Sequence, residues 1–241
     1  MTREKNLTPL PLASALFSDQ FSQLISAGIS LVRSLDILKE MPAPYGEASG
    51  ELQRQIQAGK TPSEAMDEQP SLFSPFYRNM VRGGELGNIL DETLAQAAVL
   101  MLKEWRLLQR VSPESGPYLL NASAFGQVPD WENLSPDRQK VSLILFCEAF
   151  RSMLLSGVPI LRTMEYVAAL LPAVQRGKML EARDDVEKGE PMNLSRLAIL
   201  PRVVWELTDQ GEKTGTLDRA LLRAARIMEN DIECRRRVNT A

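Results

Sequence analysis

The side chains with the most chemical potential are two matched pairs of acids. Glu85 and Asp91 belong to Gly84-Glu85-Leu86-Gly87-Asn88-Ile89-Leu90-Asp91, and Glu212 and Asp218 belong to Gly211-Glu212-Lys213-Thr214-Gly215-Thr216-Leu217-Asp218, 127 residues later. Both stretches read G-E-x-small-small-x-L-D. Carboxylates in such numbers serve either a hard divalent cation or an acid–base pair. Hard-cation sites take several oxygen ligands, and two acids per copy are too few to assert one. A catalytic pair must share one site, whereas each copy belongs to its own segment. No catalytic or cofactor-binding residue is therefore assigned. Glu85, Asp91, Glu212 and Asp218 stay candidates for a divalent ion or for a contact between helical units. The structural reading has Glu85 and Glu212 accepting backbone N–H groups at the start of the following helix, or pairing with a neighbour such as Arg82. Gly83-Gly84-Glu85-Leu86-Gly87 is no phosphate loop, because no strand precedes it and no Gly-Lys-Ser/Thr follows. Its glycines and Gly211 mark places where one helix stops and the next begins, through positive φ or close backbone approach.

Composition removes most other chemistry. The 241 residues include no histidine, which excludes histidine bases, Ser-His and Cys-His nucleophiles and most zinc or haem sites. Cys147 and Cys234 are far apart in sequence and read as two buried or half-buried thiols in a reducing compartment. A net charge of −3 offers no basic excess for nucleic acid. No signal peptide is visible, and the most apolar stretch, 143–161, is broken by Glu148 and Arg151, so nothing reads as a membrane span.

Stepping along the chain, apolar periodicity and breakers predict helices throughout. Residues 1–12, with Pro9 and Pro11, read as an irregular lead-in. A helix carrying Phe17 and Phe21 ends at Gly28. Ser30 caps a second, which stops before Pro42, and a third covers 45–58. Thr61-Pro62-Ser63-Glu64 is a capping box opening a short fourth. Ser74-Pro75 starts a fifth through Val81. The sixth begins near Asn88, capped by Asn88 with Asp91, and runs to Arg110. Residues 112–135, with three prolines and two glycines, form a linker whose Tyr118, Leu119, Leu120, Phe125 and Trp131 pack on a neighbouring face. The plan then repeats: Ser135-Pro136 opens a helix in which Phe146, Phe150 and Gly157 match Phe17, Phe21 and Gly28. Pro159, a charged helix over 173–188 ended by Gly189, Pro201, and a last helix over 217–238 follow. Pro191 stands as Pro62 does, without the capping box. The fold class is all-α, as two tandem six-helix up-and-down bundles over 13–111 and 136–241.

Three features stand in order along the chain, the first and third of them in both halves. They are F-x₃-F with Ser26-Ala27-Gly28-Ile29-Ser30-Leu31 or Ser156-Gly157-Val158-Pro159-Ile160, the mid-repeat run Ile56 to Ala65, and the G-E-x-[GST]-[GN]-x-L-D stretch. Together they resemble the F-domain family of bacterial type II secretion and type IV pilus systems, the GspF/PilC inner-membrane platform proteins. The resemblance covers about 14–110 and 137–238. It implies a non-enzymatic scaffold on the cytoplasmic side of the membrane that binds the assembly ATPase and other platform components and associates with itself. Some members bind calcium through acids that do not map position by position onto this chain. Family members usually carry transmembrane helices after each F domain, and this chain shows none. The expectation is a paralogue without them, the alternatives being segments removed, or a stand-alone helical interaction or regulatory protein that keeps the fold alone. The run Arg235–Arg237 suits the negative end of the last helix, with contact to anionic lipid as the sharper alternative.

Overall fold

Caps and breakers set most helix boundaries. The computed structural model describes residues 10–111 and 131–239, among which no strand occurs. The helices are α1 (Leu10–Ser26), α2 (Leu31–Leu38), α3 (Tyr45–Gln57), α4 (Pro62–Asp67), α5 (Pro75–Gly87), α6 (Leu90–Val111), α7 (Pro136–Leu155), α8 (Ile160–Ala168), α9 (Ala173–Glu187), α10 (Arg202–Lys213) and α11 (Leu217–Asn239), with short 3-10 turns at Trp131–Asn133 and Leu194–Arg196. The capping box at α4 forms as expected: Thr61 Oγ1 accepts from Glu64 N–H, and the Glu64 carboxylate accepts from Thr61 N–H. Ser74 and Ser135 cap α5 and α7 by accepting from Tyr77 and Arg138 N–H.

Several expectations need correction. Helix α1 starts at Leu10 rather than Ala13, with Pro11 in its first turn, where the missing N–H has no intrahelical partner to lose. Ser30 occupies the N-cap of α2, yet its side chain makes no capping bond. Helix α5 runs on through Gly83 and Gly84 to Gly87, so these glycines lie inside a helix, as does Gly211 in α10. The turn of positive φ falls to Asn88 (φ 56°) and Gly215 (φ 66°). Asn88 thus ends α5 instead of capping α6, a role open to Asn because its short polar side chain tolerates the left-handed region. In the second half the counterpart of α4 is only the 3-10 turn Leu194–Arg196, so that half contains five α-helices. Of the expected linker, 112–130 lies outside the described residues, including Tyr118, Leu119, Leu120 and Phe125. Trp131 is partly buried against the core, and its carbonyl accepts from the Gln139 side chain at 2.8 Å.

The long helices pack in the order α1, α6, α7, α11, with α5 also meeting α8. Helix α7 is central: residues 141–150 are buried all round. Buried apolar side chains form one connected cluster through both halves. In the first half it is built on rings, Phe17 stacking on Tyr45 (centroids 5.2 Å apart) and Phe73 on Tyr77 (5.6 Å). Phe146 and Phe150 supply the second half's ring pair, at 6.0 Å. All four periodic phenylalanines have no exposed surface.

Candidate functional site

Two short sequences, one in each half, hold a pair of helices at close range. A Cβ built on Gly84 would lie 2.6 Å from Thr93 Oγ1, 2.9 Å from Thr93 Cβ and 3.1 Å from Leu90 Cα. On Gly211 it would lie 2.5 Å from Ala220 Cβ and 3.1 Å from Leu217 Cα. Each glycine therefore lets the following helix cross its own without a side chain between them. Gly84 and Gly211, Leu90 and Leu217, and Thr93 and Ala220 are all 127 residues apart. The turn is also the same in both. Asn88 N–H donates to Glu85 O (3.3 Å) and Ile89 N–H to Gly84 O (2.9 Å), as Gly215 N–H does to Glu212 O (3.2 Å) and Thr216 N–H to Gly211 O (2.7 Å). This is the paired bonding of a helix end whose last residue turns left-handed.

The glutamates act in the same place but reach elsewhere than expected. Glu85 accepts from Ser63 N–H at 2.5 Å and from Ser63 Oγ at 2.7 Å. Ser63 is in the first turn of α4, so the carboxylate satisfies a free N–H and faces the positive end of that helix. Glu212 accepts from Met192 N–H at 2.7 Å, in the loop before the 3-10 turn. Neither carboxylate bonds to the start of the helix following it. Arg82 pairs with Asp67 and Asn79 instead of Glu85. Each glutamate thus ties the fifth helical segment of its half back to the chain that precedes it.

Asp91 and Asp218 lie in the first turns of α6 and α11, where an acid suits the helix dipole. The carbonyl of Asp91 accepts from Ser22 Oγ at 2.8 Å, which pins α6 to α1. Glu212 and Asp218 line an open cleft with Leu154, Leu155, Gly211, Gly215 and Leu217. Among the described residues no three histidine, cysteine, aspartate or glutamate side chains gather as metal ligands.

A second polar cluster joins the halves. Lys103 on α6 pairs with Glu148 on α7 at 2.5 Å and also with Glu229 on α11. Burial pulls the Lys103 ammonium down, but its bonds to Glu148 and Glu229 outweigh that and hold its pKa above the ordinary value. Glu148 is nearly buried. The sequence signal for this cluster was Glu148 itself, a charge interrupting the most apolar stretch of the chain. Nearby, Ser152 Oγ donates to Gln96 Oε1 at 3.3 Å. Lys140 on α7 pairs with Asp231 on α11, and this bond above all lowers the Asp231 pKa. In the last turns of α11, Arg235 and Arg237 are exposed and pair one turn back with Asp231 and Glu233. Burial pushes the Cys147 thiol up to about 12, as expected of a buried cysteine, whereas Cys234 lies exposed on the last turns of α11 and not half-buried as its sequence suggested. None of the described helices is long and apolar enough to cross a membrane.

Known proteins resemble this chain in sequence. The family model for type II secretion system protein F matches residues 17–120 and 146–241. The type IV pilus assembly protein PilC of Myxococcus xanthus is 33% identical over 98 residues, 40% of this chain and 24% of that protein. Type II secretion system protein F of Xanthomonas campestris is 36% identical over 84 residues, 34% of this chain and 21% of that protein. PilC of Thermus thermophilus is 23% identical over 297 residues, covering 91% of this chain and 73% of the relative. The chain thus spans under a quarter of the length of the first two relatives and about three quarters of the third. With both halves matched, the chain belongs to the type II secretion system protein F family.

Proposed function

We propose that the chain is two copies of one helical unit, 13–111 and 136–241, joined by 112–135, and that it works as a scaffold without catalysis. In this reading it sits at the cytoplasmic face of the inner membrane. There it binds the assembly ATPase and the other platform components of a type II secretion or type IV pilus system. The observation that carries the reading is the family match, which falls once in each half. The motif chemistry agrees with it. Glu85 and Glu212 are occupied by the protein's own N–H groups, so the duplicated acids serve helix packing and leave recognition to the helix surfaces. The relatives named for type IV pilus assembly and type II secretion point to the same machinery.

The test is capture of the assembly ATPase and platform proteins encoded in the same genome on the immobilised, purified chain. Retention of the ATPase at physiological salt is the expected result. Failure to retain it or any platform component would overturn the scaffold reading.

A further inference from the structure

The junction between the halves has a direction, and it leaves two matching ends uncovered. On α6, Gln96, Leu100 and Lys103 lie on one helical face, with Gln96 and Lys103 bonded to Ser152 and Glu148 of α7. Leu100 and, on α7, Leu145 are buried there. Beside them α5 meets α8, where a Cβ on Gly83 would lie 3.2 Å from Val158 and 3.8 Å from Tyr166. Each of these positions has a counterpart at the other end of the row, at an offset of 127 residues from α6 to α11 and 129 from α1 to α7.

The counterparts are exposed. Ile227 matches Leu100 and is 41% exposed, Leu16 matches Leu145 and is 46% exposed, and Ile37 matches Tyr166 and is 37% exposed. The polar pairs recur with donor facing acceptor. Lys103–Glu148 becomes Asn230–Asp19, and Gln96–Ser152 becomes Arg223–Gln23, all four exposed. Helix α11 offers the exposed cations Arg219, Arg223 and Arg226, whereas α1 has no base and carries Asp19.

We propose that a second copy of this chain docks head to tail, its α1 and α2 seated on α11 and α10 as α7 and α8 are seated on α6 and α5. The inference rests on reading the two halves as copies of one unit. The row α1, α6, α7, α11 then continues into the α1 of the next copy. Such a contact joins two different faces, so it builds rings or open chains and not a two-fold dimer. Gln210 stands where Gly83 does, so α10 and α2 approach less closely than α5 and α8.

The test uses the full chain with Cys234→Ser and a short bis-maleimide. Cys147 stays unreactive because it is buried and its thiol is pushed up to about 12. With Asp19→Cys and Asn230→Cys in one chain, cross-linking gives a ladder of dimers, trimers and higher species. A mixture of the two single variants gives dimers only, and either single variant alone gives none. Lys103→Cys with Glu148→Cys is the control and closes within one chain, read as an intact mass gaining one linker. A closed control without a ladder overturns the docking and leaves the repeat reading standing, as does a single variant that cross-links to itself. A control that fails to close overturns both. Light scattering is the second measurement: Leu16→Glu or Ile227→Glu, each at an exposed site, shifts the mass toward monomer, and an unchanged mass counts against the proposal.

Discussion

The two halves solve one packing problem with different side chains. In the first, Tyr77 and Ser18 form a buried hydrogen bond of 2.9 Å between α5 and α1. At the matching positions the second half has Val204 and Cys147, both without exposed surface. Phe73 is likewise matched by Leu200. The ring-and-hydroxyl core of the first half stands against an aliphatic-and-thiol core in the second, and both members of the polar pair differ together. That pairing of changes is what buried hydrogen bonds impose, since removing one partner strands the other. What did not change is the glycine at the helix crossing, the left-handed turn after it and the glutamate between them. Packing chemistry is exchangeable between the halves, whereas the close approach of backbones is not.

The largest losses are expected where the glycines at the helix crossings are substituted. Alanine gains up to about 1 kcal/mol of helix propensity over glycine. Overpacking costs about 1–3 kcal/mol, occasionally more. At Gly211 the clash is with the Ala220 methyl and Leu217 Cα, neither of which can rotate away, so the upper end of the overpacking cost applies and Gly211→Ala is expected to lose about 2 kcal/mol net in urea unfolding. At Gly84 a χ1 rotation can move Thr93 Oγ1 but not Thr93 Cβ, and that fixed contact at 2.9 Å is milder than the 2.5 Å at Gly211, so Gly84→Ala loses less. Adding Ala220→Gly should restore part of the loss from Gly211→Ala and none of the loss from Gly84→Ala.

Ser18→Ala leaves the buried Tyr77 hydroxyl without its partner and is expected to cost about 1–2 kcal/mol. Tyr77→Phe in the same chain should return much of that, whereas Tyr77→Phe alone leaves Ser18 its bond to Ser14 O. Equal losses from the single and double variants would refute the account of the pair.

The smallest effect separates the halves by pH. Burial raises Cys147 to about 12 in the fold from an ordinary 9.0, and Tyr45 to about 12 from 10.0. A raised folded pKa means that the unfolded chain releases its proton first, so stability declines as pH rises between the two values. The thiol starts this decline above about pH 9 and the phenol above about pH 10. Urea midpoints taken from pH 8.5 to 10 should fall in the native chain and fall less with Cys147→Ala.

Local chemistry was largely legible in the sequence. The capping box at Thr61 and Glu64, the core phenylalanines and the breakers Gly28 and Gly157 follow from side-chain size, hydrogen-bonding groups and period. Asn88 was misplaced because the same residue suits a helix start and a left-handed helix end, and the sequence around it carries both signals. Ser63 as the partner of Glu85, 22 residues away, and Glu148 as the partner of Lys103, 45 away, have no local signature. Such pairs depend on which helices pack together. The lost fourth helix of the second half was foreshadowed, since the capping box is missing there.

The duplicated glutamates, Glu85 and Glu212, hold each fifth helical segment to the chain before it. A double-mutant cycle on Ser63→Ala and Glu85→Gln, read by urea unfolding, tests this hold most directly. Each change is expected to destabilise, and the two to couple by about 1 kcal/mol, because both act on one charged hydrogen bond. Additive losses, or a Glu85→Gln chain as stable as the native one, would contradict it.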